Sequence, residues 1–386
     1  NTGGAKTLTG DVRISSKSAS VAQDIEPEYI AFSADSSTAF VALQENNAIA
    51  VVDIAAGEVS AVQGLGYKDY GISGNEFDAS NEDGPDGGPG INIRNWDVYG
   101  TYMPDTIATY RVDGTTYLLT ANEGDGREYL TDAEDAADCT TQGGYFFDDG
   151  DCFHYLDEIR IKDLGENQFT DDLKARLGTN FQEDENLGRL KIITNLGLED
   201  ESSCPTIATT GQPITFPDEA PIAGCVYESL YSFGARSFTI WNTETGLPVY
   251  DSGSDFEAIT AEQLEINFNA SNDDNTGDDR SDDKGPEPEA IAVAEISGST
   301  YAFVGLERVG GVMVYNITDP EAANFVQYIN PRDFSVDAEA DVTEVGDLGP
   351  ESIVFIASED SPNGEPLLLV SNEVSGTLAV YSITTE

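Results

Sequence analysis

Short runs of apolar and β-branched residues follow one another along most of the chain, separated by Gly, Asp, Asn and Pro. Runs of this length with turn residues between them predict β-strands. Only residues 170–177 and 260–266 have the apolar spacing of a short helix. The pattern therefore predicts an all-β fold with many turns.

One longer pattern recurs along the chain. In its clearest copies a proline followed by an acidic residue precedes three short apolar runs, which predict three strands with room for a fourth. Repeated units of this kind are typical of stacked or radial β-structures. The copies lie near residues 26–54, 104–130, 228–253, 285–318 and 349–383.

The lengths of these repeats and their variable insertions favour a β-propeller. We expect a single domain over residues 1–386 with seven blades, six or eight being the alternatives, and with long acidic loop insertions. A strand over residues 6–14 would close the ring by pairing with the last repeat. A series of two-sheet sandwiches is the competing architecture.

The charge narrows the range of partners. The chain has 72 acidic and 18 basic residues, a formal net charge of −54, which argues against binding to nucleic acid or to anionic lipid. No apolar stretch approaches the ~18 residues of a membrane span. Such an acidic surface resembles proteins from halophilic or marine settings, where salt screens the repulsion.

Cysteine and histidine limit the possible chemistry. The single histidine, His154, excludes a His-rich zinc site within one chain and disfavours a Ser-His-Asp triad. The simplest interpretation of the four cysteines is two local disulfides, Cys139–Cys152 and Cys204–Cys225, in an oxidising compartment. Four free thiols are the alternative.

Acidic residues recur at two positions of the repeats, at the start of the first strand and after the second. If the strands surround a channel, these carboxylates converge at one mouth, and a bound cation would be needed to keep them ionised together. Oxygen ligands without His or Cys favour Ca²⁺. The alternative is that each residue caps a turn. The residues are Glu28, Asp105, Glu289 and Glu351 in the first series and Glu123, Glu307 and Glu373 in the second, where the first repeat has Gln44.

Two further sets of residues are candidates for binding. Residues 78–84 (DASNEDG) resemble a calcium loop through Asp78 and Asp83, although the spacing is not that of an EF-hand. Arg127, Arg236 and Arg308 lie near the acidic series, where they would hold a phosphate or carboxylate ligand by bidentate hydrogen bonds or simply neutralise their neighbours.

Five runs of sequence resemble the choice-of-anchor I family, and together they span nearly the whole chain. The runs are 92–96 (NIRNW), 102–105 (YMPD), 120–129 (TANEGDGREY), 233–241 (FGARSFTIW) and 282–289 (DDKGPEPE). The resemblance implies a bacterial propeller domain that is secreted or surface-exposed and fits divalent ions. Some members are labelled alkaline phosphatase-like or phytase-like, but the resemblance supplies no catalytic residue.

Three functions follow as hypotheses. The first is a secreted, calcium-binding propeller that acts as a surface-associated binding or structural module, with divalent cations and a cell-surface component as partners. The second is a calcium-dependent phosphoesterase acting on a phosphorylated small molecule, with metal on Glu123, Glu289, Glu307 and Glu351 and phosphate on Arg127 or Arg236. The third is a subunit of a self-assembling extracellular layer or filament.

Overall fold

The computed structural model describes residues 8, 10–15, 19–144, 146–148, 150–200, 225–338 and 342–384. The strands in these ranges are β1 (Ile30–Phe32), β2 (Thr38–Leu43), β3 (Ala48–Asp53), β4 (Glu58–Gly64), β5 (Tyr67–Asp69), β6 (Tyr99–Thr101), β7 (Ile107–Val112), β8 (Thr115–Ala121), β9 (Glu128–Asp132), β10 (Phe146–Asp148), β11 (Asp151–Leu156), β12 (Glu158–Arg160), β13 (Lys191–Ile193), β14 (Tyr231–Ser232), β15 (Phe238–Asn242), β16 (Leu247–Asp251), β17 (Pro288–Ile296), β18 (Ser299–Leu306), β19 (Val312–Asn316), β20 (Asn324–Ile329), β21 (Pro350–Ile356), β22 (Leu367–Asn372) and β23 (Thr377–Ser382). The helices are α1 (Val21–Asp24), α2 (Ala136–Gln142), α3 (Asp171–Leu177) and α4 (Asp255–Leu264).

Four antiparallel sheets resemble one another in build. The first has the order β1-β2-β3-β4, the second β16-β15-β8-β7, the third β17-β18-β19-β20 and the fourth β21-β22-β23. The all-β class predicted from the sequence is confirmed. A closed ring is not shown by these sheets, so the propeller and its blade count stay predictions.

The second sheet joins two segments that are distant in sequence. Strand β8 pairs with β15, with Ala121 opposite Phe238 and Tyr117 opposite Asn242. The repeats near 104–130 and 228–253 therefore contribute hairpins to one sheet rather than forming a sheet each. Residues 122–237, between these hairpins, carry the strands β9 to β14.

The four similar sheets pack against one another in sequence order. Buried side chains of the first sheet, such as Phe40, contact Leu118 and Trp241 of the second. Phe238 and Ile240 of the second sheet share a core with strands of the third. A further core joins the third and fourth sheets, and the first strands β1, β7, β17 and β21 are neighbours in that order.

Two more sheets lie beside this row. Strands β12, β13, β14, β6 and β5 form one sheet in that order, with β14 and β6 parallel. The other, β10-β11-β9, packs with α2. The Cys139–Cys152 disulfide joins α2 to β11, which confirms the first predicted pair. The second pair includes Cys204, which lies outside the described residues, whereas Cys225 is described and buried.

The two predicted helices are present with shifted bounds. Helix α3 begins at Asp171 because the Thr170 side chain accepts a hydrogen bond from the Leu173 backbone N–H as its N-cap. Helix α4 begins five residues before the predicted position 260.

The N-terminal segment lies against the first sheet. Of the predicted strand over residues 6–14, residues 6, 7 and 9 lie outside the described ranges. The Arg13 backbone N–H donates to the Asn46 carbonyl, and Gly10 lies against Gly64. Residues 10–14 form no strand and no β-bridge to the last repeat, so the predicted pairing is wrong for these residues. Their backbone lies against the first sheet, and the Arg13 side chain contacts Asp157 and Asn195.

Candidate functional site

Acidic side chains from the four similar sheets meet where their first strands begin. We call this group the acidic hub. The two positions predicted from the repeats are neighbours in the backbone: the Glu307 N–H donates to the Glu287 carbonyl at 2.9 Å and the Glu373 N–H to the Gly349 carbonyl at 2.7 Å. The adjacent first strands therefore bring both series together. The hub consists of Glu28, Asp105, Glu123, Glu287, Glu289, Glu307, Glu351 and Glu373.

We call Glu123, Glu287 and Glu307 the inner half of the hub. These glutamates are buried and contact basic side chains. Carboxylate oxygens of the three glutamates lie within 4.8 Å of one another. Lys284 Nζ lies 3.2 Å from Glu287 and 3.7 Å from Glu123. Arg280 is 2.9 Å from Glu287, and Arg308 is 3.2 Å from both Glu287 and Glu307. Each of the three glutamates thus forms an ion pair with at least one fixed cation, while Lys284 also pairs with Asp125 and Arg280 with Asp283.

The pKa values in this half follow the distribution of the cations. Burial opposes ionisation of Glu287, but Lys284, Arg280 and Arg308 together lower its pKa to about 2. Burial raises the pKa of Glu307 to about 7, and neighbouring Glu287 adds to the effect. Neutral donors also contribute, because Gln44 Nε2 donates to Glu123 at 2.7 Å and Asn272 Nδ2 to Glu307 at 3.1 Å.

The outer half of the hub, Asp105, Glu289 and Glu351, has no such cation. Glu289 is only 7% exposed, whereas Asp105 is half-buried and Glu351 is exposed. Asp105 and Glu351 lie near enough to Glu289 for their carboxyl groups to affect one another's pKa. Burial raises the pKa of Asp105 to about 6, with Glu351 adding to the effect. Burial, Glu351, Glu123 and Glu307 raise the pKa of Glu289 to about 12. Among the described residues, no lysine or arginine forms an ion pair with these three.

The two remaining predicted hub residues lie at its margins. Glu28 is exposed and forms a group with Glu26 and Glu45, whose oxygens lie within 4.8 Å of one another beside Arg127. Burial raises the pKa of Glu28, and Glu26 adds to the effect. Glu373 lies near Glu307 and raises its pKa.

A second acidic cluster lies outside the hub. Asp78, Asp83 and Asp278, which we call the loop cluster, place carboxylate oxygens within 4.8 Å of one another. Asp78 and Asp278 are 0% and 2% exposed. Burial raises the pKa of Asp78 to about 8 and that of Asp278 to about 7. The structure therefore brings together the two aspartates predicted from residues 78–84.

The three predicted ligand-binding arginines all contact carboxylates. Arg127 Nη1 lies 3.3 Å from Asp24 and Nη2 3.3 Å from Glu26. Arg236, which is 3% exposed, lies 2.6 Å from Glu257. Arg308 contacts the inner half of the hub. Their placement matches the second of the two roles considered from the sequence, which is neutralisation of neighbouring acidic groups.

Sequence reasoning did not select two of the acidic residues in these clusters. Glu287 stands two residues before Glu289 in the run GPEPE, so the signal was present but only the later glutamate was chosen. Asp278 lies in an acidic stretch, residues 273–283, in which no spacing distinguishes it from its neighbours. Its role becomes visible only when the loop packs against residues 78–83.

Comparison with known proteins shows one family and proteins to which the chain is similar. A family model described as the choice-of-anchor I domain matches residues 2–212 and 220–320. Gigasin-3a of Magallana gigas is 30% identical over 185 residues, which are 46% of this chain and 65% of that protein, just under two thirds of its length.

Among solved structures, hydrazine synthase of Kuenenia stuttgartiensis is similar, with 13% identity and coverage of 94% of this chain and 85% of the other. The TM-score of 0.24 is too low for this likeness to carry a conclusion. In the described part of the chain, no helix combines the length and apolar character that crossing a bilayer requires.

Proposed function

Because the chain belongs to the choice-of-anchor I family, which implies a secreted or surface-anchored protein, we propose that it is a calcium-binding β-propeller. It would act as a binding or structural module at the cell surface. The observation that carries the proposal is the outer half of the hub. There, Asp105, Glu289 and Glu351 lie at the starts of the neighbouring strands β7, β17 and β21 and form no ion pair with a lysine or arginine of the described residues.

The buried carboxyl group of Glu289 lies beside those of Asp105, which is half-buried, and Glu351, which is exposed. Glu289 is more than nine-tenths buried, and a buried carboxylate without a compensating charge is costly. A divalent cation removes the repulsion and lets all three groups ionise. The surrounding donors are all oxygens, which favours a hard cation, and contributions from three separate sheets suit the flexible coordination of Ca²⁺ better than the octahedron of Mg²⁺.

The row of sheets supports the propeller part of the proposal. First strands β1, β7, β17 and β21 are neighbours in sequence order, and in a propeller the first strand of each blade lines the channel. The Cys139–Cys152 disulfide is consistent with an oxidising, extracellular compartment. A cation in this position would hold the second, third and fourth sheets together at their inner ends.

No contact among the described residues favours the two other hypotheses. Arg127 and Arg236, which the phosphoesterase hypothesis uses to hold phosphate, are buried against carboxylates. A self-assembling layer or filament likewise remains a hypothesis from the sequence alone.

A calcium titration of the Glu289→Gln variant tests the proposal. The Glu295→Gln variant is a matched control, because Glu295 lies on the same strand β17 but is exposed. The midpoint of thermal unfolding is measured in chelator and in excess CaCl2. We expect calcium to raise the midpoint of the wild type and of Glu295→Gln, and to raise that of Glu289→Gln by less.

Two results would contradict the proposal. One is a wild-type midpoint that is identical with calcium and with chelator. The other is an equal calcium response in Glu289→Gln and Glu295→Gln, because the hub site would then not contribute.

A further inference from the structure

The loop cluster joins two long acidic loops. Asp78 and Asp83 lie between β5 and β6, and Asp278 lies between α4 and β17. A hydrogen bond of 2.8 Å from the backbone N–H of Gly90 to the side-chain Oδ2 of Asp278 also links the loops. The three carboxylates thus lie at the contact between segments almost two hundred residues apart.

The partners of these oxygens show which ones are unsatisfied. Asp278 Oδ1 accepts from Ser281 Oγ at 2.5 Å, in addition to the bond from Gly90. Asp78 Oδ2 accepts from the Asn92 N–H at 2.5 Å and Oδ1 from the Ser80 N–H at 3.4 Å. Both oxygens of Asp83 are buried, and no hydrogen bond of good geometry reaches them, although the Asn92 side chain lies near enough to lower the pKa of Asp83. A buried carboxylate without a donor is destabilising unless something else binds it.

Two neutral amide oxygens of the same two loops also lack a hydrogen-bond partner. Asn81 Oδ1 and Asn269 Oδ1 are also buried without a hydrogen-bond partner, and Asn269 is 0% exposed. Asn269 belongs to the environment of the cluster, because its Nδ2 donates at 2.9 Å to Ser281 Oγ, which in turn donates to Asp278. Carboxylate and amide oxygens are the ligands that Ca²⁺ takes.

The basic groups nearby are occupied elsewhere. Arg236 donates to Glu257 and to the backbone carbonyls of Asp78, Ser281 and Asp283. Arg94, whose charge acts to lower the pKa of Asp83, stacks on Trp96 at 3.6 Å and donates to Asn186. Glu257 brings further negative charge, since it accepts from the Asp78 N–H at 2.7 Å.

We propose that the loop cluster is a second Ca²⁺ site, in which Asp78, Asp83 and Asp278 bind one ion that fastens the two loops together. The site lies outside the hub on which the proposed function depends. The ion would supply the partner that both oxygens of Asp83 lack. It would also neutralise three carboxylates that no ion pair reaches among the described residues.

Calorimetric titration with CaCl2 after chelator treatment tests this inference. We expect the wild type to bind two equivalents, and Asp83→Asn to lose one of them. The matched control is Asp86→Asn, because Asp86 lies three residues away in the same loop but is exposed. Glu289→Gln should lose the other equivalent, and the double variant should bind none.

Protection against proteolysis measures whether calcium holds the two loops together. Trypsin cleavage after Arg94, which lies in the first loop, should be slowed by calcium at least tenfold in the wild type and in Glu289→Gln, and should not respond to calcium in Asp83→Asn. Since a buried substitution can prevent folding, both experiments are repeated with Asp278→Asn, and circular dichroism identifies the folded variants.

The outcomes separate the two sites. A folded Asp83→Asn or Asp278→Asn variant that keeps both equivalents overturns the loop site and leaves the hub site unaffected. Loss of an equivalent in these variants but not in Glu289→Gln supports the loop site and contradicts the hub site. Absence of any calcium binding by the wild type overturns both.

Discussion

The inner half of the hub and the loop cluster each bring three carboxyl groups together, but they differ in the basic side chains beside these groups. In each, oxygens of three carboxylates lie within 4.8 Å of one another, and most of the residues are buried. Glu287 has Lys284, Arg280 and Arg308 within 3.2 Å. Among the described residues, no basic side chain forms an ion pair with Asp78, Asp83 or Asp278.

The difference shows in the pKa of Glu287, which contacts all three cations, whereas burial still raises the pKa of Glu123 and that of Glu307 in the same half. The fixed cations lower the pKa of Glu287 to about 2, despite complete burial. Burial without such cations raises the pKa of Asp78 to about 8 and that of Asp278 to about 7. Clustered carboxylates therefore do not identify a metal site by themselves. The positions of the lysines and arginines decide whether the protein itself supplies the positive charge.

Replacing Lys284 is the most severe test of this comparison. The variant Lys284→Met removes a cation that is only 8% exposed and leaves Glu123 and Glu287 less compensated. We expect the free energy of unfolding, measured with urea in chelator, to fall by about 3–5 kcal/mol. A loss below about 1 kcal/mol would show that the inner half does not depend on its own cations.

Neutralising Glu287 tests the inner half of the hub through the pH dependence of the free energy of unfolding. The folded pKa of about 2 lies below the unfolded value of 4.5, so ionised Glu287 stabilises the protein above the unfolded value. That contribution is lost as the pH falls through about 2. Glu287→Gln should therefore lower the free energy of unfolding by roughly 3 kcal/mol at neutral pH.

The difference in the free energy of unfolding between Glu287→Gln and the wild type should disappear during acid titration. Unfolding curves taken from neutral pH down to the folded pKa measure it. A gap that stays constant over this range would mean that the charge of Glu287 is not what stabilises the fold.

Calcium should partly replace the missing ammonium group in Lys284→Met. With one fixed cation removed, the inner half comes to resemble the loop cluster. Free calcium at ~10 times its dissociation constant would restore about 1.4 kcal/mol. The measurement is the calcium-dependent rise in the free energy of unfolding, compared with that of the wild type. An equal rise in both proteins would argue against the equivalence of metal and lysine at this position.

The smallest effect is expected at an exposed lysine, which also serves as the matched control. Lys162 Nζ lies 2.8 Å from Asp184, with both side chains about a third exposed or more. Lys162→Met should lower the free energy of unfolding by less than about 1 kcal/mol, and salt should reduce the difference further. A loss comparable to that of Lys284→Met would mean that burial is not what separates the two lysines.

The strands and the hub carboxylates could be predicted because both follow the repeat. Glu289 and Glu351 each follow a proline that pairs with the end of the second strand, Pro288 with Leu306 and Pro350 with Asn372. Side chains at equivalent positions of adjacent sheets meet whatever the loops do. The convergence of Asp105, Glu289 and Glu351 was therefore contained in the spacing of the chain.

The cations of the inner half could not be predicted in the same way. Arg280 and Lys284 precede the repeat near 285–318, and no spacing in the sequence marks them as partners of its glutamates. Their partners depend on the path of the loop that ends at Gly285, where φ is +69° and an added Cβ would lie 2.8 Å from Arg236. Hydrophobic periodicity carries no information about such a path. The same reason hid Asp278, whose loop has no regular pattern.

The second sheet is built from two hairpins that are distant in sequence, and this affects how the chain folds during synthesis. Strands β7 and β8 emerge from the ribosome more than a hundred residues before β15 and β16, and the two hairpins are joined through the pairing of β8 with β15. Until the later hairpin arrives, the edge of β8 is open and Leu119 lacks the core in which Phe238 takes part. The nascent polypeptide must therefore delay completion of this sheet, a non-local pairing of the kind that slows folding and exposes a strand to aggregation.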